Sequence, residues 1–158
     1  MDLSFKTDEG RFNYRVAGLL LNESKILIMK DENSPYYYFP GGRVSMHEKS
    51  EDAILREIRE ELSVDAAIER LLWINENFFE EEVLKEKFHE ICFIYLLTLK
   101  DDKLLTKGNE FEENEEGKIH TYYWKTFDEL KELNVYPLFL KNRCSELPEH
   151  LTHFVETK

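Results

Sequence analysis

Residues 42–64 read GRVSMHEKSEDAILREIREELSV, and the most informative part of this stretch is the cluster REIREE at residues 56–61. On a helix, Glu57, Glu60 and Glu61 stand at i, i+3 and i+4, so their carboxylates share one face. Three like charges side by side repel one another, and helix stability alone does not favour this arrangement. A hard divalent cation would remove the repulsion, because such cations bind carboxylate oxygens. The spacing therefore points to a cation site on a helix.

The same stretch predicts an amphipathic helix over residues 51–62. Ser50 is the expected N-cap, and Glu51 and Asp52 follow in the first turn, where the helix dipole favours anions. The glutamates gather on one side of the helix, centred near Ala53. The opposite side carries an apolar stripe that would pack on a sheet, formed by Ile54, Leu55, Ile58 and Leu62.

Composition and charge exclude several classes of protein. The chain has 158 residues, of which 42% are hydrophobic and 13% aromatic, so a packed core within one domain is expected. A net charge of −12 disfavours a nucleic-acid polymer as ligand, since phosphate-backbone binding relies on clustered Lys and Arg. The longest apolar stretch, residues 91–99, is too short to span a bilayer, and the N-terminus lacks the apolar core of a signal peptide. These features predict a soluble, cytoplasmic protein that does not bind a membrane.

Hydrophobic alternation and turn residues predict the order of the other elements. Two strands at residues 12–21 and 25–29 have the spacing of a hairpin, and the prolines and glycines of residues 35–42 indicate a loop. Further strands are predicted at residues 66–79, 88–99 and 119–125, and further helices at residues 127–133 and 137–144. The acidic insert, residues 110–117 (EFEENEEG), is predicted to be a loop. Strands before, between and after scattered helices predict an α+β fold with a mixed sheet.

Once the flanking residues are included, the stretch resembles the signature of the Nudix hydrolase family. That signature is Gly, five residues, Glu, seven residues, Arg-Glu-hydrophobic-any-Glu-Glu, any, Gly, hydrophobic. The matching residues are Gly42, Glu48, Arg56, Glu57, Ile58, Glu60, Glu61 and Val64. One position departs, because Ser63 stands where the family has Gly. That Gly usually allows a left-handed residue at the helix end, where Ser would cost about 1 kcal/mol more.

The resemblance extends beyond the helix and implies a fold. The lead-in YYFPGG at residues 37–42 is similar to the aromatic-rich, Pro-Gly-Gly lead-in of the family. The likeness covers roughly residues 12–140. It implies an α+β fold of the Nudix kind, an α/β/α sandwich with a mixed central sheet. A single domain would then span residues 1–158, with a C-terminal helix and tail after the core.

The resemblance also implies a reaction. Nudix proteins typically use Mg²⁺ or Mn²⁺ to hydrolyse a nucleoside diphosphate linked to another moiety, such as a nucleoside triphosphate or ADP-ribose. A divalent metal neutralises the phosphate oxygens, orients the chain for in-line attack and lowers the pKa of bound water. The expected partner is thus a small nucleotide, and a homodimer would also fit, since Nudix enzymes often dimerise. The alternatives are a catalytically silent Nudix domain that binds a nucleotide as a sensor and a domain that binds a protein partner through its acidic surface.

The resemblance implies a role for each charged residue of the signature. Glu57, Glu60 and Glu61 are the predicted metal ligands. Arg56 would fix the orientation of a carboxylate, because a guanidinium can bind one bidentately, and Glu48 would reach the same cluster from the preceding loop. The predicted catalytic residues are Glu57, Glu60, Arg56 and Glu48.

Substrate contacts and the general base are expected outside the helix. Gly41 and Gly42 would let the backbone turn tightly beside the metal. Tyr37 and Phe39 are candidates for stacking on a nucleobase, with ordinary packing as the equal alternative. The general base is either a glutamate of the signature or an acidic residue elsewhere. The candidates outside the signature are Glu90, Glu110, Glu112, Glu113, Glu115 and Glu116.

Overall fold

The computed structural model describes residues 1–157, which form eleven strands and three α-helices. The strands are β1 Ser4–Thr7, β2 Gly10–Asn22, β3 Lys25–Asp31, β4 Tyr37–Tyr38, β5 Gly41–Arg43, β6 Ala66–Glu80, β7 Lys87–Leu99, β8 Glu110–Glu115, β9 Lys118–Thr126, β10 Val135–Tyr136 and β11 Thr152–Thr157. The helices are α1 Ser50–Leu62, α2 Phe127–Lys131 and α3 Leu138–Arg143, and a short 3-10 helix spans Leu105–Lys107. None of the helices within residues 1–157 has the length and apolar character needed to cross a membrane.

The sheet is mixed, as predicted, and its long strand β2 pairs with β5, the short strand that precedes α1. β2 runs parallel to β7, while β6 and β7 form a long antiparallel pair. β2 and β3 form the predicted hairpin, but they pair only beside its turn, at Leu21 with Ile26 and Asn22 with Lys25. Closer to the start of β2, its neighbour is β5 instead of β3. There Gly41 pairs with Ala17 and Gly42 with Val16. The two glycines are thereby fixed beside the middle of the sheet.

Helices cover both faces of the sheet, which makes the α/β/α sandwich. α1 buries Ala53, Ile54, Ile58 and Leu62 against one face, in a core that includes Val16, Leu20 and Leu97. The other face packs against α2 and α3 through Leu130, Phe139 and Leu140. Full burial of a Leu or Ile side chain stabilises the fold by about 1.5–3 kcal/mol. The apolar stripe of α1 is therefore what fixes the helix, and with it the glutamates, on the sheet.

Both ends of α1 differ from an ideal helix. The predicted N-cap is wrong, because α1 begins at Ser50 and Lys49 occupies the cap without a side-chain hydrogen bond. The Ser50 hydroxyl instead lies 2.5 Å from the Tyr95 hydroxyl, so a buried partner on β7 takes the group that would have capped the helix. At the other end Ser63 is left-handed, with φ 55° and ψ 33°, and its N–H donates to the Arg59 carbonyl. This is the conformation expected at the position where the family has Gly.

The predicted loop at residues 110–117 is wrong for most of its length. β8 spans Glu110–Glu115 and pairs antiparallel with β9, with Phe111 opposite Tyr122 and Glu115 opposite Lys118. Acidic residues are depleted in strands, which concealed this one. Five further strands are absent from the predicted elements: β4 and β5, which begin in the predicted loop of residues 35–42, the terminal strands β1 and β11, and β10.

Candidate active site

One guanidinium organises the acidic residues of α1. Arg56 binds Glu48 bidentately, through Nε to Oε2 at 2.8 Å and Nη2 to Oε1 at 2.9 Å. Its Nη1 donates to Glu57 Oε1 at 3.0 Å and to Glu60 Oε2 at 3.2 Å, and Nη2 also donates to the Arg43 carbonyl at 3.1 Å. These bonds hold the pKa of Glu48 below its usual range. Arg56 therefore ties the loop and β5 to the helix and sets the direction of three carboxylates.

Gly41 and Gly42 are required by close approach rather than by a turn. A Cβ added at Gly42 would collide with the carboxylate of Glu57, and one added at Gly41 would collide with the Val16 carbonyl of β2. Both glycines lie within β5, so the predicted tight turn is absent. The backbone of Gly42 instead forms the surface on which the Glu57 carboxylate rests.

Glu61 is the most buried carboxylate of the cluster, with an exposed fraction of 6%. Its Oε2 accepts a hydrogen bond from the Tyr122 hydroxyl at 3.3 Å, and it also accepts one from the Gly41 N–H. Burial raises the pKa of Glu61 well above its ordinary value, and the negative charges of Glu57 and Glu115 raise it further. Burial likewise raises the pKa of Glu57, although Arg56 opposes the effect. Negative charge is thus concentrated here without enough cations to balance it.

Among the candidate bases of the acidic insert, the structure brings Glu115 towards the helix. In β8 the side chains of Phe111, Glu113 and Glu115 share the face that packs towards α1, because side chains alternate along a strand. Glu113 forms an ion pair with Lys107, whereas Glu115 is close enough to Glu57 and Glu61 to raise the pKa of both. The other members of the insert lie on the opposite face of β8 or in its turn, and these are Glu110, Glu112 and Glu116.

Glu90 lies apart from this cluster. It sits on β7 in register with Asn13, on the face of the sheet that α2 and α3 cover rather than the face of α1. Its Oε1 is 3.3 Å from Arg15 Nε, and burial raises its pKa. The structure therefore separates Glu90 from the helix glutamates and pairs it with an arginine.

The two aromatic candidates for substrate contact differ in accessibility. Phe39 is 4% exposed and packs in the core beneath α2 and α3, so its ring is placed for packing. Tyr37 is half-buried, with its ring edge-on to Tyr123 at 5.7 Å between centroids and the Lys30 ammonium 5.1 Å from its centroid. Tyr37 is the more accessible of the two, but like Tyr123 it packs on the face of the sheet that α2 and α3 cover, not on the face of α1.

The helix glutamates fit a divalent cation by their chemistry but are not yet arranged around one. Within residues 1–157, no three acidic, His or Cys side chains converge closely enough to hold an ion in their present rotamers. The reason is that Arg56 draws Glu57 and Glu60 to its own Nη1. The Glu60 side chain is 47% exposed, and an all-carboxylate set suits a hard cation. Ion binding would therefore require Glu57 and Glu60 to turn away from Arg56.

Sequence reasoning missed one polar neighbour of the site, Tyr122. Its hydroxyl contacts Glu61, while the adjacent Tyr123 points to the other face of β9. Nothing in the local sequence HTYYWK distinguishes the two tyrosines. Only the pairing of β9 with β3 and β8 decides which of them faces α1.

Comparison with known proteins places the chain in a family. A family model described as NUDIX domain matches residues 11–141. An ADP-ribose pyrophosphatase of Methanocaldococcus jannaschii is 27% identical over 124 residues, which are 77% of this chain and 70% of that protein. A low-salt glycan biosynthesis protein of Haloferax volcanii is 31% identical over 122 residues, 71% of this chain and 78% of that protein.

Solved structures show the same fold. An ADP-ribose pyrophosphatase from Streptococcus suis has a TM-score of 0.60 and 17% sequence identity, and the match covers 91% of this chain and 98% of that one. At this level of identity the likeness concerns the fold alone.

Proposed function

We propose that this chain, which belongs to the NUDIX domain family and is a Nudix pyrophosphohydrolase, uses Mg²⁺ to hydrolyse a small nucleotide of the ADP-ribose or nucleoside triphosphate kind. Water would attack one phosphorus of the diphosphate and release a nucleoside monophosphate and the other half. The proposal rests on one arrangement of carboxylates. Glu57 contacts the backbone of Gly42 beside buried Glu61, and Arg56 orients the Glu57 carboxylate. Like charges are held together there by the fold, at the place where a diphosphate and its cation would be bound.

The residues of α1 would have different roles in binding that cation. Glu57, Glu60 and Glu61 would bind it, and the ion would supply charge neutralisation of the phosphate oxygens and a lowered pKa of bound water. Arg56 acts on Glu57 and Glu60 as a positioning residue, with Glu48 fixing the guanidinium from the other side. When Glu57 and Glu60 turn towards a cation, the bidentate pair with Glu48 keeps Arg56 in place.

Glu115 is the proposed general base. It reaches the cluster from the β8–β9 hairpin, so it can accept the proton of the attacking water from a different side than the residues of α1. Glu90 is a poorer candidate because Arg15 binds its carboxylate on the other face of the sheet.

One relative suggests the first substrate to test. The protein from Methanocaldococcus jannaschii is called an ADP-ribose pyrophosphatase, which makes ADP-ribose the first nucleotide of the panel. The stacking of a base on Tyr37 stays a prediction, because this ring packs on the face of the sheet that α2 and α3 cover. The signature residues would bind only the diphosphate and the metal. Loops and strands outside the signature would therefore decide which nucleoside is accepted.

The test is turnover of a nucleotide panel with Mg²⁺ by the wild-type protein and by Glu61→Gln. The expected loss in kcat is about 100-fold or more, since even partners of metal ligands cost about 10–100-fold when removed. Glu51→Gln is the matched control, because Glu51 is an exposed glutamate in the first turn of the same helix. Equal turnover by wild type and Glu61→Gln would refute the assignment.

A nucleotide sensor is the second candidate, and one observation favours it. Arg56 engages two of the three proposed ligands in the structure as it stands, which would suit a site that binds without turning over. Tight binding of a nucleotide with metal and no product would establish the sensor instead.

A further inference from the structure

We infer that Tyr122 is a positioning residue for the metal site, because its hydroxyl fixes the carboxylate of Glu61 for a divalent cation. The inference rests on the proposed function, since it assumes that Glu61 is a ligand. It begins from the hydrogen bond that the Tyr122 hydroxyl donates to Glu61 Oε2 at 3.3 Å.

The ring of Tyr122 is held firmly. Its side chain is fully buried, and it stacks on Phe111 of β8 with 5.4 Å between centroids and 13° between planes. The ammonium of Lys107 lies 5.5 Å from the centroid of Phe111, and Lys107 is itself paired with Glu113. The hydroxyl therefore projects from a fixed point on the β8–β9 hairpin towards α1.

Glu61 needs such a contact more than its neighbours do. Within residues 1–157, Arg56 bonds Glu57 and Glu60 but not Glu61. Glu61 is instead surrounded by the negative charges of Glu57 and Glu115, in a pocket where water is scarce. Without a donor from β9, only the Gly41 N–H would restrain this carboxylate.

The bond also leaves room for an ion. At 3.3 Å it is longer than the usual 2.7–2.8 Å of an O–H···O bond, so the carboxylate keeps some freedom to adjust to an ion. A hydroxyl on Oε2 leaves lone pairs of the carboxylate available to a cation. Hydrogen-bond partners of metal ligands typically change metal affinity by about 10–100-fold.

The test compares Tyr122→Phe with Tyr95→Phe. Tyr95 is also a buried tyrosine whose hydroxyl bonds α1, but its partner is Ser50 at the start of the helix. The affinity for Mn²⁺ in the absence of nucleotide can be measured from the electron paramagnetic resonance signal of the free ion. This affinity should be about 10-fold lower in Tyr122→Phe than in the wild type. Tyr95→Phe should bind Mn²⁺ as the wild type does. In turnover, Tyr122→Phe should need about 10-fold more metal for half-maximal rate, while KM for nucleotide at saturating metal stays unchanged.

A second measurement separates positioning from a general effect on the fold. In a Glu61→Gln background, the Tyr122→Phe change should alter Mn²⁺ affinity no further. The inference would be overturned if Tyr122→Phe bound Mn²⁺ as tightly as the wild type, or if Tyr122→Phe and Tyr95→Phe were weakened equally. Metal-dependent turnover by the wild type would still support the proposed function in either case. A wild type that neither binds Mn²⁺ nor turns over nucleotides would overturn both.

Discussion

At the scale of single residues, Ser63 shows a cost that the sequence pattern identified in advance. It holds φ 55° at the end of α1, where a side chain is strained and Gly is not. Ser63→Gly should therefore stabilise the protein by about 1 kcal/mol in urea unfolding. Ser63→Ala keeps the strain and should bring no gain. Unchanged stability in Ser63→Gly would mean that the backbone freedom of Gly in the unfolded chain cancels the relief of strain.

Glu61 predicts how the metal-free protein responds to pH. Burial and the charges of Glu57 and Glu115 raise its pKa in the folded state, while the unfolded chain keeps the ordinary value of about 4.3. As pH rises from that value, the unfolded chain loses this proton before the folded protein does. Stability is therefore fully present below the unfolded pKa and falls as pH rises through the folded one. In EDTA, unfolding free energies measured from pH 4.5 to 8 should fall more steeply for wild type than for Glu61→Gln.

The comparison with Glu61→Gln also identifies the source of the pH dependence. Gln keeps the shape of the side chain and a possible bond from Tyr122, but it cannot ionise. Parallel curves for the two proteins would show that other groups, such as Glu57 or Glu90, dominate.

At the scale of elements, the helix could be predicted from sequence and the strand beside it could not. α1 carries its own evidence, since Ile54, Ile58 and Leu62 repeat at helical spacing and are fully buried. β8 does not, because five of the eight residues of EFEENEEG are acidic and composition suggested a solvated loop. Its alternation of Phe111, Glu113 and Glu115 gains meaning only from pairing with β9, a contact that local sequence does not encode.

The alternation along β8 makes a prediction about its two faces. Glu115 faces α1 and its glutamates, whereas Glu112 faces away and is exposed. Glu115→Gln should lower kcat by about 10²–10⁴-fold if it serves as the general base, a range typical of such groups. Glu112→Gln, the same change on the same strand, should leave kcat unaltered. Similar rates for the two variants would exclude Glu115 from the chemistry.

At the scale of the whole molecule, the layered fold followed from the sequence more readily than the site did. Alternating strands and the resemblance together predicted the mixed sheet and its covering helices. The positions of Tyr122, Glu115 and Glu90 relative to the glutamates depend on which strands pair, so they required the structure. The cytoplasmic location and the homodimer stay predictions.

The net charge of −12 predicts how the whole protein meets an anionic substrate. Raising NaCl from about 10 mM to about 150 mM shortens the Debye length from about 30 Å to about 8 Å, which screens the repulsion between protein and nucleotide. At fixed free Mg²⁺, KM for the nucleotide should therefore fall as salt rises, while kcat changes little. Initial rates at several substrate concentrations for each salt level measure both constants. A KM that rises with salt would mean that cations near the site outweigh the overall charge in drawing the substrate to it.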